Sequence, residues 1–600
     1  MSFTPDQLIV LAVVVGCTVC FIKEWIATEI TAMIGAAILL ATGILNLDHF
    51  TAGFANPAPL TIACLFVVSI ALERTGLIET LGDQFLRLAK GSQTRAFLLV
   101  MSFPLVISAF TNNTPVVVVM MPILVAFCRS TEAKPSKLLI PLSYAAILGG
   151  TCSMVGTSTN LVVDGMATDL GVEPFSLFSI TPLGIVYSII GVAYMWFFGR
   201  HLLPDRETLG SLLTPEMKRE FLVQVEVGED SPLIDRALSQ LLAKQLKGMH
   251  VLEVRRRGVN VLAPLPDVEL QPGDRLVLRT GRSGIEKLKS TEDTDLGWGS
   301  ELGLEPMESR EALMIEGMIG PDSPMAGRTL KQLRFRQRFN SLILAIHRRG
   351  TNITNQLESH PLQFGDTLLV EGTNEGIERL MNQRGFVTLS EPRQQKFRRK
   401  RAPIALAAMI GFVVLGALNV APTLTLAFLA ALVVVAGGCV TPTDAYDAIQ
   451  WRIIFLIIGM LGIGSAMQSS GTAQTLAEGL TAGIDVFSLS PFWHPYVLLS
   501  LVYLMASVFA ELISNNAVGA LLTPIAVNLA NAAGYDPIPF IVAIMFGASA
   551  SFSTPIGYQT NTYVYGAGGY LFKDFIRVGL PLNIILWIVA SVAIPLFWGF

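Results

Sequence analysis

Two short polar interruptions recur at matched spacing inside otherwise apolar sequence. The first half carries Thr111-Asn112-Asn113-Thr114-Pro115 and, further on, Gly156-Thr157-Ser158-Thr159-Asn160. The second half carries Ser514-Asn515-Asn516-Ala517 and Gly557-Tyr558-Gln559-Thr560-Asn561. Asn113 and Asn160 are 47 positions apart (160 − 113), and Asn515 and Asn561 are 46 apart (561 − 515). Neutral amides and hydroxyls at membrane depth are costly unless they bind something or line a watery cavity. Paired interruptions at corresponding places in two halves point to the binding site of a secondary transporter. Asn and Thr oxygens, with carbonyls freed by a helix break, are suitable donors to sodium. Helix N-termini at the same breaks aim N–H groups and a positive dipole end at an anion. None of the four motifs contains Lys or Arg, so an anion would be held by dipoles, amides and co-bound cations. Capping and interhelical hydrogen bonding also use Asn and Thr in membranes. Four motifs at repeat-related positions favour a site.

The elements that must hold these residues follow from composition. The chain has 600 residues, 52% hydrophobic and 15% charged, with mean hydropathy +0.56. A soluble chain would carry about 25% charged residues. Apolar runs cover about 8–22, 28–46, 57–73, 97–128, 137–163 and 178–199. They return at about 402–417, 422–439, 452–468, 493–530, 535–553 and 578–599. Each half therefore has three plain spans, two runs broken by an Asn motif, and a final span, each span needing about 20 apolar residues. Smaller landmarks agree: Thr75-Gly76 with Ser470-Gly471, and Met121-Pro122-Ile123 with Thr523-Pro524-Ile525. Met1 to Gln7 has no basic residue, so the first run reads as a membrane helix and not a signal peptide. The segment 77–90 is amphipathic and suits the interface.

An odd number of crossings in each half would invert one half relative to the other. Basic residues around the first half and Arg398-Arg399-Lys400-Arg401 before the second then place residues 203–401 in the cytoplasm and both termini outside. The fold class is thus a polytopic α-helical membrane protein with two inverted repeats, re-entrant hairpins and broken helices. Its divisions are 1–202, 203–300, 301–401 and 402–600. The net charge of −4 gives no argument for nucleic acid. The six cysteines lie in apolar segments, and Cys17/Cys20 read as packing. The six histidines have no metal spacing, and no nucleophile stands beside a base, so no enzyme is expected. No Walker motif suggests ATP-driven transport.

The soluble insert repeats at 92 positions: Ser231-Pro232 with Ser323-Pro324, Arg256-Arg257-Gly258 with Arg348-Arg349-Gly350, Gly273-Asp274 with Gly365-Asp366. Alternating apolar positions predict strands at 222–227, 250–254 and 275–279, with a helix at 234–242 and Gly258 and Gly350 in hairpin turns. This α+β pattern resembles the TrkA C-terminal (RCK_C) ligand-binding domain, twice in tandem, over about 218–290 and 312–385. Arg256, Arg257, Arg348 and Arg349 are candidate contacts for an anionic regulator such as a nucleotide, although basic turns are often merely solvated. A ligand that prefers one state would regulate transport.

The membrane halves resemble the divalent-anion/sodium symporter family of sulfate, dicarboxylate and citrate carriers. That family carries Ser-Asn-Thr at the tips of two re-entrant hairpins, matched by Asn112-Asn113-Thr114 and Ser514-Asn515-Asn516. Its Gly-led, Asn-ending breaks match 156–160 and 557–561. The resemblance implies sodium ligands at Ser108, Asn113, Gly156, Asn515 and Gly557. It implies substrate contacts among Asn112, Asn113, Thr114, Ser158, Thr159, Asn160, Ser514, Asn515, Asn516, Thr560 and Asn561. It also implies an elevator-like or rocking mechanism and a homodimer in the plasma or inner membrane. No cofactor is expected beyond sodium as coupling ion. Asn112 and Asn516 replace family hydroxyls, and Ala510 lacks the hydroxyl of Ser108, so sulfate fits better than a dicarboxylate or citrate. Glu511 and Asp164 could carry protons in a proton-coupled carrier; for Glu511 a hairpin base near water is preferred. Glu73, Arg74 and Arg452 read as interfacial. A channel or sensor gated by the insert is the rival of another class.

Overall fold

The computed structural model divides the chain into two compact units, Met1–Arg206 with Pro392–Phe600, and Glu207–Glu391. It describes residues 4–23, 25–89, 92–131, 133–205, 220–227, 249–256, 259–260, 268–272, 274–281, 304–320, 323–348, 351–353, 357, 360–383, 385–388, 397–485 and 492–600.

The apolar runs of the first half, with two segments between them, fold into the helices α1 (Pro5–Lys23), α2 (Thr28–Ala41), α3 (Leu47–Ala55), α4 (Pro57–Arg74), α5 (Leu77–Arg87), α6 (Gln93–Ser108), α7 (Asn113–Thr131), α8 (Leu139–Gly150), α9 (Ser158–Asp169) and α10 (Thr181–Tyr194). A π turn at Met195–Gly199 prolongs α10. The two Asn motifs fall where α7 and α9 begin. α8 and α9 have 12 residues each, about 18 Å apiece at 1.5 Å per residue. Neither spans the roughly 30 Å hydrocarbon layer alone.

In the insert, nine strands among the described residues form one antiparallel sheet: β1 (Glu220–Val227), β2 (Met249–Arg256), β3 (Val259–Asn260), β4 (Arg275–Gly281), β5 (Leu304–Ile319), β6 (Ser341–Arg348), β7 (Thr351–Ile353), β8 (Thr367–Thr373) and β9 (Phe386–Thr388). The order is β3-β2-β4-β1-β5-β8-β6-β7, with β9 also on β5. The 92-residue repeat is visible in this order. β1, β4, β2 and β3 form one quartet and β5, β8, β6 and β7 the other, joined where β1 pairs β5. Even the bulge recurs, between Val251 and Glu253 in one copy and Ile343 and Ala345 in the other. α11 (Phe335–Phe339) and α12 (Asn374–Met381) bury Phe335, Phe339 and Leu380 in a core with Ile346, Leu368 and Val370. The helix expected at 234–242, and Ser231-Pro232, lie outside the described residues.

The second half adds α13 (Ala402–Ala417), α14 (Thr423–Ala436), α15 (Pro442–Ala448), α16 (Trp451–Ser469), α17 (Thr472–Asp485), α18 (His494–Ala510), α19 (Asn515–Ala533), α20 (Pro537–Ser549), α21 (Gln559–Ala567) and α22 (Phe572–Trp598). Its small landmarks match those of the first half. α4 and α16 end alike: Thr75 and Ser470 hydroxyls donate back to Ala71 and Ala466 carbonyls, and Gly76 and Gly471 follow at φ +71° and +72°. Only glycine adopts that conformation cheaply. Pro122 and Pro524 sit inside α7 and α19. Among the described residues, seven helices are long and apolar enough to cross a membrane.

Candidate functional site

The site is built where four helices begin. A helix start leaves four N–H groups without intrahelical partners, and α7, α9, α19 and α21 start at Asn113, Ser158, Asn515 and Gln559. Two of these starts follow the turn of a helical hairpin, α6–α7 and α18–α19. The other two follow breaks, 151–157 and 550–558, in which Thr157 (φ −138°, ψ 142°) and Tyr558 (φ −136°, ψ 138°) are both extended.

Polar side chains tie the tips to the breaks. The fully buried Asn113 meets the Tyr558 hydroxyl at 2.7 Å. With its oxygen toward Tyr558, its nitrogen donates to the Ala146 and Gly156 carbonyls at 3.1 and 3.3 Å. Tyr558 also lies 3.1 Å from Thr157 Oγ1. Across the same region, Asn516 Oδ1 accepts from Ser158 and Thr159 hydroxyls, both at 3.1 Å, and Thr114 donates to Gln559 Oε1 at 3.2 Å. Each tip is therefore fastened to the broken helix of the other half.

The breaks share one internal pattern. Asn160 Nδ2 donates to Ser153 O at 3.0 Å, and Asn561 Nδ2 to Thr554 O at 3.1 Å. Ser153 and Thr554 hydroxyls accept from Gly156 and Gly557 N–H at 3.2 and 3.0 Å. The same hydroxyls donate to the Ala109 and Glu511 carbonyls at the hairpin turns. Ser143 adds a link, 2.8 Å from Thr560 Oγ1 and 2.7 Å from Asn561 Oδ1.

This arrangement sorts the sequence candidates. Thr159, Asn160, Thr560 and Asn561 are enclosed, at 2% exposure or less, and brace the breaks. Asn112, Thr114, Ser158 and Asn516 are half-buried and Ser514 is exposed. Asn112 and Ser158 line a cavity of about 30 Å³ against Ile62 and Phe66, room for about one water.

Oxygen donors gather at both Gly positions. A Cβ on Gly156 would lie 2.6 and 2.8 Å from the Gly150 and Ser108 carbonyls. Ser108 is fully buried and its hydroxyl has no hydrogen-bond partner, an unusual state for a buried polar group. At Gly557 a Cβ would lie 3.0 Å from each of Ala510 O, Glu511 Oε2 and Thr554 Oγ1. Asn515, the second Asn candidate, takes Ser551 Oγ at 3.2 Å. These all-oxygen, mainly neutral clusters suit a weakly held monovalent cation. Among the described residues, no group of three or more His, Cys, Asp or Glu could hold a metal ion.

Glu511 departs from the expectation of a hairpin base. α18 ends at Ala510, so Glu511 belongs to the tip turn. Its Oε1 accepts from Ser553 N–H and from Asn583 of α22, both at 2.7 Å, and its Oε2 has no partner. Asp164 instead accepts from Phe175 N–H at 2.9 Å and pins a loop. Arg74 pairs with Asp444 at 3.2 Å and Arg452 with Glu29 at 3.6 Å. Sequence reasoning passed over Tyr558 and Gln559, although both stand inside a quoted motif. It also passed over Ser153, Ser551 and Thr554, which stand in short Ser/Thr runs just before the Gly-led motifs, and had no signal for Ser143 or Asn583, which are isolated in apolar sequence.

In the insert, Arg256 grips Asp274 with two hydrogen bonds of 2.8 Å, and Arg348 grips Asp366 at 2.7 and 2.5 Å. Both pairs are 18 apart and repeat at 92 (348 − 256; 366 − 274). The aspartate hydrogen bonds raise both guanidinium pKa values, against the opposing effect of burial. These pairs account for both arginines within the fold. Arg257 and Arg349 lie outside the described residues.

Similarity to known proteins follows the same outline. The citrate transporter family CitMHS matches residues 18–544 and 496–600. The chain is 36% identical over 598 residues to the uncharacterized transporter sll0640 of Synechocystis sp., covering 98% of this chain and 97% of that one. It is 30% identical to a candidate sulfur deprivation response regulator of Chlamydomonas reinhardtii, covering 96% and 98%. It is 24% identical to sodium/sulfate cotransporter 2 of the same alga, covering 95% and 87%. Several long apolar helices and full-length transporter relatives make it a multi-pass integral membrane protein. With nearly its whole length matched, and its polar breaks held together in one membrane unit, the chain belongs to the citrate transporter family, CitMHS.

Proposed function

We propose that the protein is a secondary active transporter that couples entry of a small divalent anion, sulfate first, to sodium. The observation that carries this reading is the pairing of two Asn-led helix starts, at Asn113 and Asn515, with two glycines, Gly156 and Gly557, that each have oxygen atoms crowded against them. The helix starts suit an anion and the oxygen clusters suit a cation. The partly exposed Asn112, Thr114, Ser158, Ser514 and Asn516 would face the anion. Sulfate is preferred because a 24% identical relative bears the name sodium/sulfate cotransporter and because Asn replaces the hydroxyl of the family motif at both tips. The two halves would be inverted repeats and work by an elevator-like motion, with a homodimer as the assembly. The insert would face the cytoplasm and adjust the balance between states on binding a small ligand.

The test is uptake of labelled sulfate into proteoliposomes with and without an inward sodium gradient, using wild type, Asn113→Ala and Asn515→Ala. Sodium-driven accumulation that both substitutions weaken is the expected result. Passive equilibration alone would sink the reading in favour of a channel, since a channel cannot drive its substrate uphill. The description of the family favours a second substrate reading, citrate or a dicarboxylate, and citrate uptake in place of sulfate would select it. The unpartnered Glu511 oxygen favours proton coupling as a second energy source; uptake that follows a pH gradient without sodium would select that.

A further inference from the structure

Away from the hairpin tips, cationic side chains and aromatic rings meet in a cavity of about 230 Å³. Lys134, Lys137, Arg200 and His201 line it together with Phe97 and Trp196. Three elements contribute: the first turns of α6, the loop from α7 to α8, and the end of the helix begun by α10. All belong to the membrane unit.

The cations are not equally engaged. Lys137 Nζ donates to Leu203 O at 2.7 Å and pairs with Asp205 at 3.3 Å, so it ties the chain that leaves the helix. His201 Nδ1 lies 3.1 Å from Phe197 O. Among the described residues, Lys134 and Arg200 form no ion pair. The Arg200 guanidinium lies 4.6 Å from the centre of the Trp196 ring, and Trp196 leans on Phe97 at 6.1 Å. Stacking holds a guanidinium in place while leaving its N–H edge free for an oxyanion. The π turn at Met195–Gly199 sets where Trp196 and Arg200 emerge; such insertions are frequent at functional sites.

A second observation bears on the ligand. The flank beside the cavity is apolar and bare: Ile185 is 50% exposed and Ile189, Phe197 and Phe198 are each 64% exposed. A ligand that fits both surfaces has a phosphate for the cations and hydrocarbon chains for the flank. Basic bias assigns this end of the helices to the inner leaflet, where anionic lipids attract such clusters.

We propose that this cavity holds the phosphate headgroup of an anionic phospholipid, whose acyl chains lie along Ile185, Ile189 and Phe197. Lys134 and Arg200 contact the phosphate, and Lys137 holds the wall. The lipid would join the base of the first hairpin to the end of α10, so its presence would steady the base of the element that carries Asn113.

The experiment uses the full-length protein in detergent, with bound phosphatidylglycerol and phosphatidylcholine counted by native mass spectrometry. Wild type is expected to retain phosphatidylglycerol in preference to phosphatidylcholine. Lys134→Gln/Arg200→Gln is expected to bind phosphatidylglycerol roughly thirtyfold more weakly, as about one surface-cation contribution each implies. Its melting temperature in phosphatidylcholine nanodiscs should equal that of wild type, which separates lost binding from lost folding. If the double variant does not fold, Arg200→Lys, which keeps the charge but loses the fork, should show a partial loss. A control pair on another surface, Arg399→Gln/Lys400→Gln, should keep the preference. Unchanged retention in the cavity variant, or equal loss in the control, overturns the proposal. Equal stabilisation by inorganic phosphate or glycerol phosphate overturns the lipid as the source of the phosphate.

Discussion

The two hairpin tips are built on one plan and differ at the residue that follows the first helix of each. After Ser108 comes Ala109; after Ala510 comes Glu511. In the first tip the oxygen donors are neutral, with the Ser108 hydroxyl unpartnered. In the second a carboxylate replaces the hydroxyl, anchored through one oxygen and open at the other. The amides differ too. Asn113 has three partners, while the oxygen of Asn515 has Ser551 at 3.2 Å. Two similar hairpin tips thus carry unequal oxygen clusters, one neutral and tightly fastened, one bearing a carboxyl group and looser.

The largest expected effect breaks the fastening. Asn113→Ala should lower sodium-driven uptake by about 100-fold, since two or three net hydrogen bonds of about 1 kcal/mol each are lost. Asn515→Ala should lower it only about fivefold by the same accounting. Equal losses in the uptake assay would show that the inequality has no functional weight. The glycines come next. Gly156→Ala drives a Cβ to 2.6 Å from a backbone carbonyl, and should cost about 3 kcal/mol of stability, read by thermal melting. Gly557→Ala, at 3.0 Å from three oxygens, should melt nearly as wild type yet need about tenfold more sodium, as one lost contact of about 1.4 kcal/mol implies.

The side chains around each glycine sharpen the contrast. Glu511→Gln should raise the sodium concentration for half-maximal uptake about tenfold, and Ser108→Ala about fivefold, because contacts to a charged group are the stronger. A sodium titration of uptake decides the order, and the reverse order would mean that Glu511 serves packing through Asn583. The smallest effect on transport lies in the insert. Arg348→Gln should leave sodium-driven uptake within about twofold, while destabilising the insert by about 3 kcal/mol through the uncompensated Asp366. Arg256→Gln should cost less, its side chain being 33% exposed against 16% for Arg348. Hydrogen exchange in β2, β4, β6 and β8 reads the difference.

Much of this was legible in the sequence because it rests on local rules. Helix starts at Asn113 and Asn515, the Gly76 and Gly471 caps and the 92-residue repeat all follow from turn chemistry and spacing. What escaped depends on contacts between distant segments. Ser143 and Thr560 are 417 positions apart, and Asn583 and Glu511 are 72 apart; a lone Ser or Asn in an apolar run has no periodicity to mark it. The Arg256 and Arg348 pairs were missed for another reason. A basic residue next to a turn looks solvated until the Gly-Asp turn 18 positions on is folded against it. Glu511 was misplaced because an apolar run does not disclose where within it a hairpin turns.

The 16-residue strand β5 has a further consequence. Its first part, to Ala312, pairs with β1 and its later part, from Ala312, with β8, so the two copies of the repeat own one strand in common. Neither copy is a detachable module. A truncation that removes the first copy would leave half of β5 as an open edge, and one that removes the second would leave the same edge on β1, in both instances a template for aggregation.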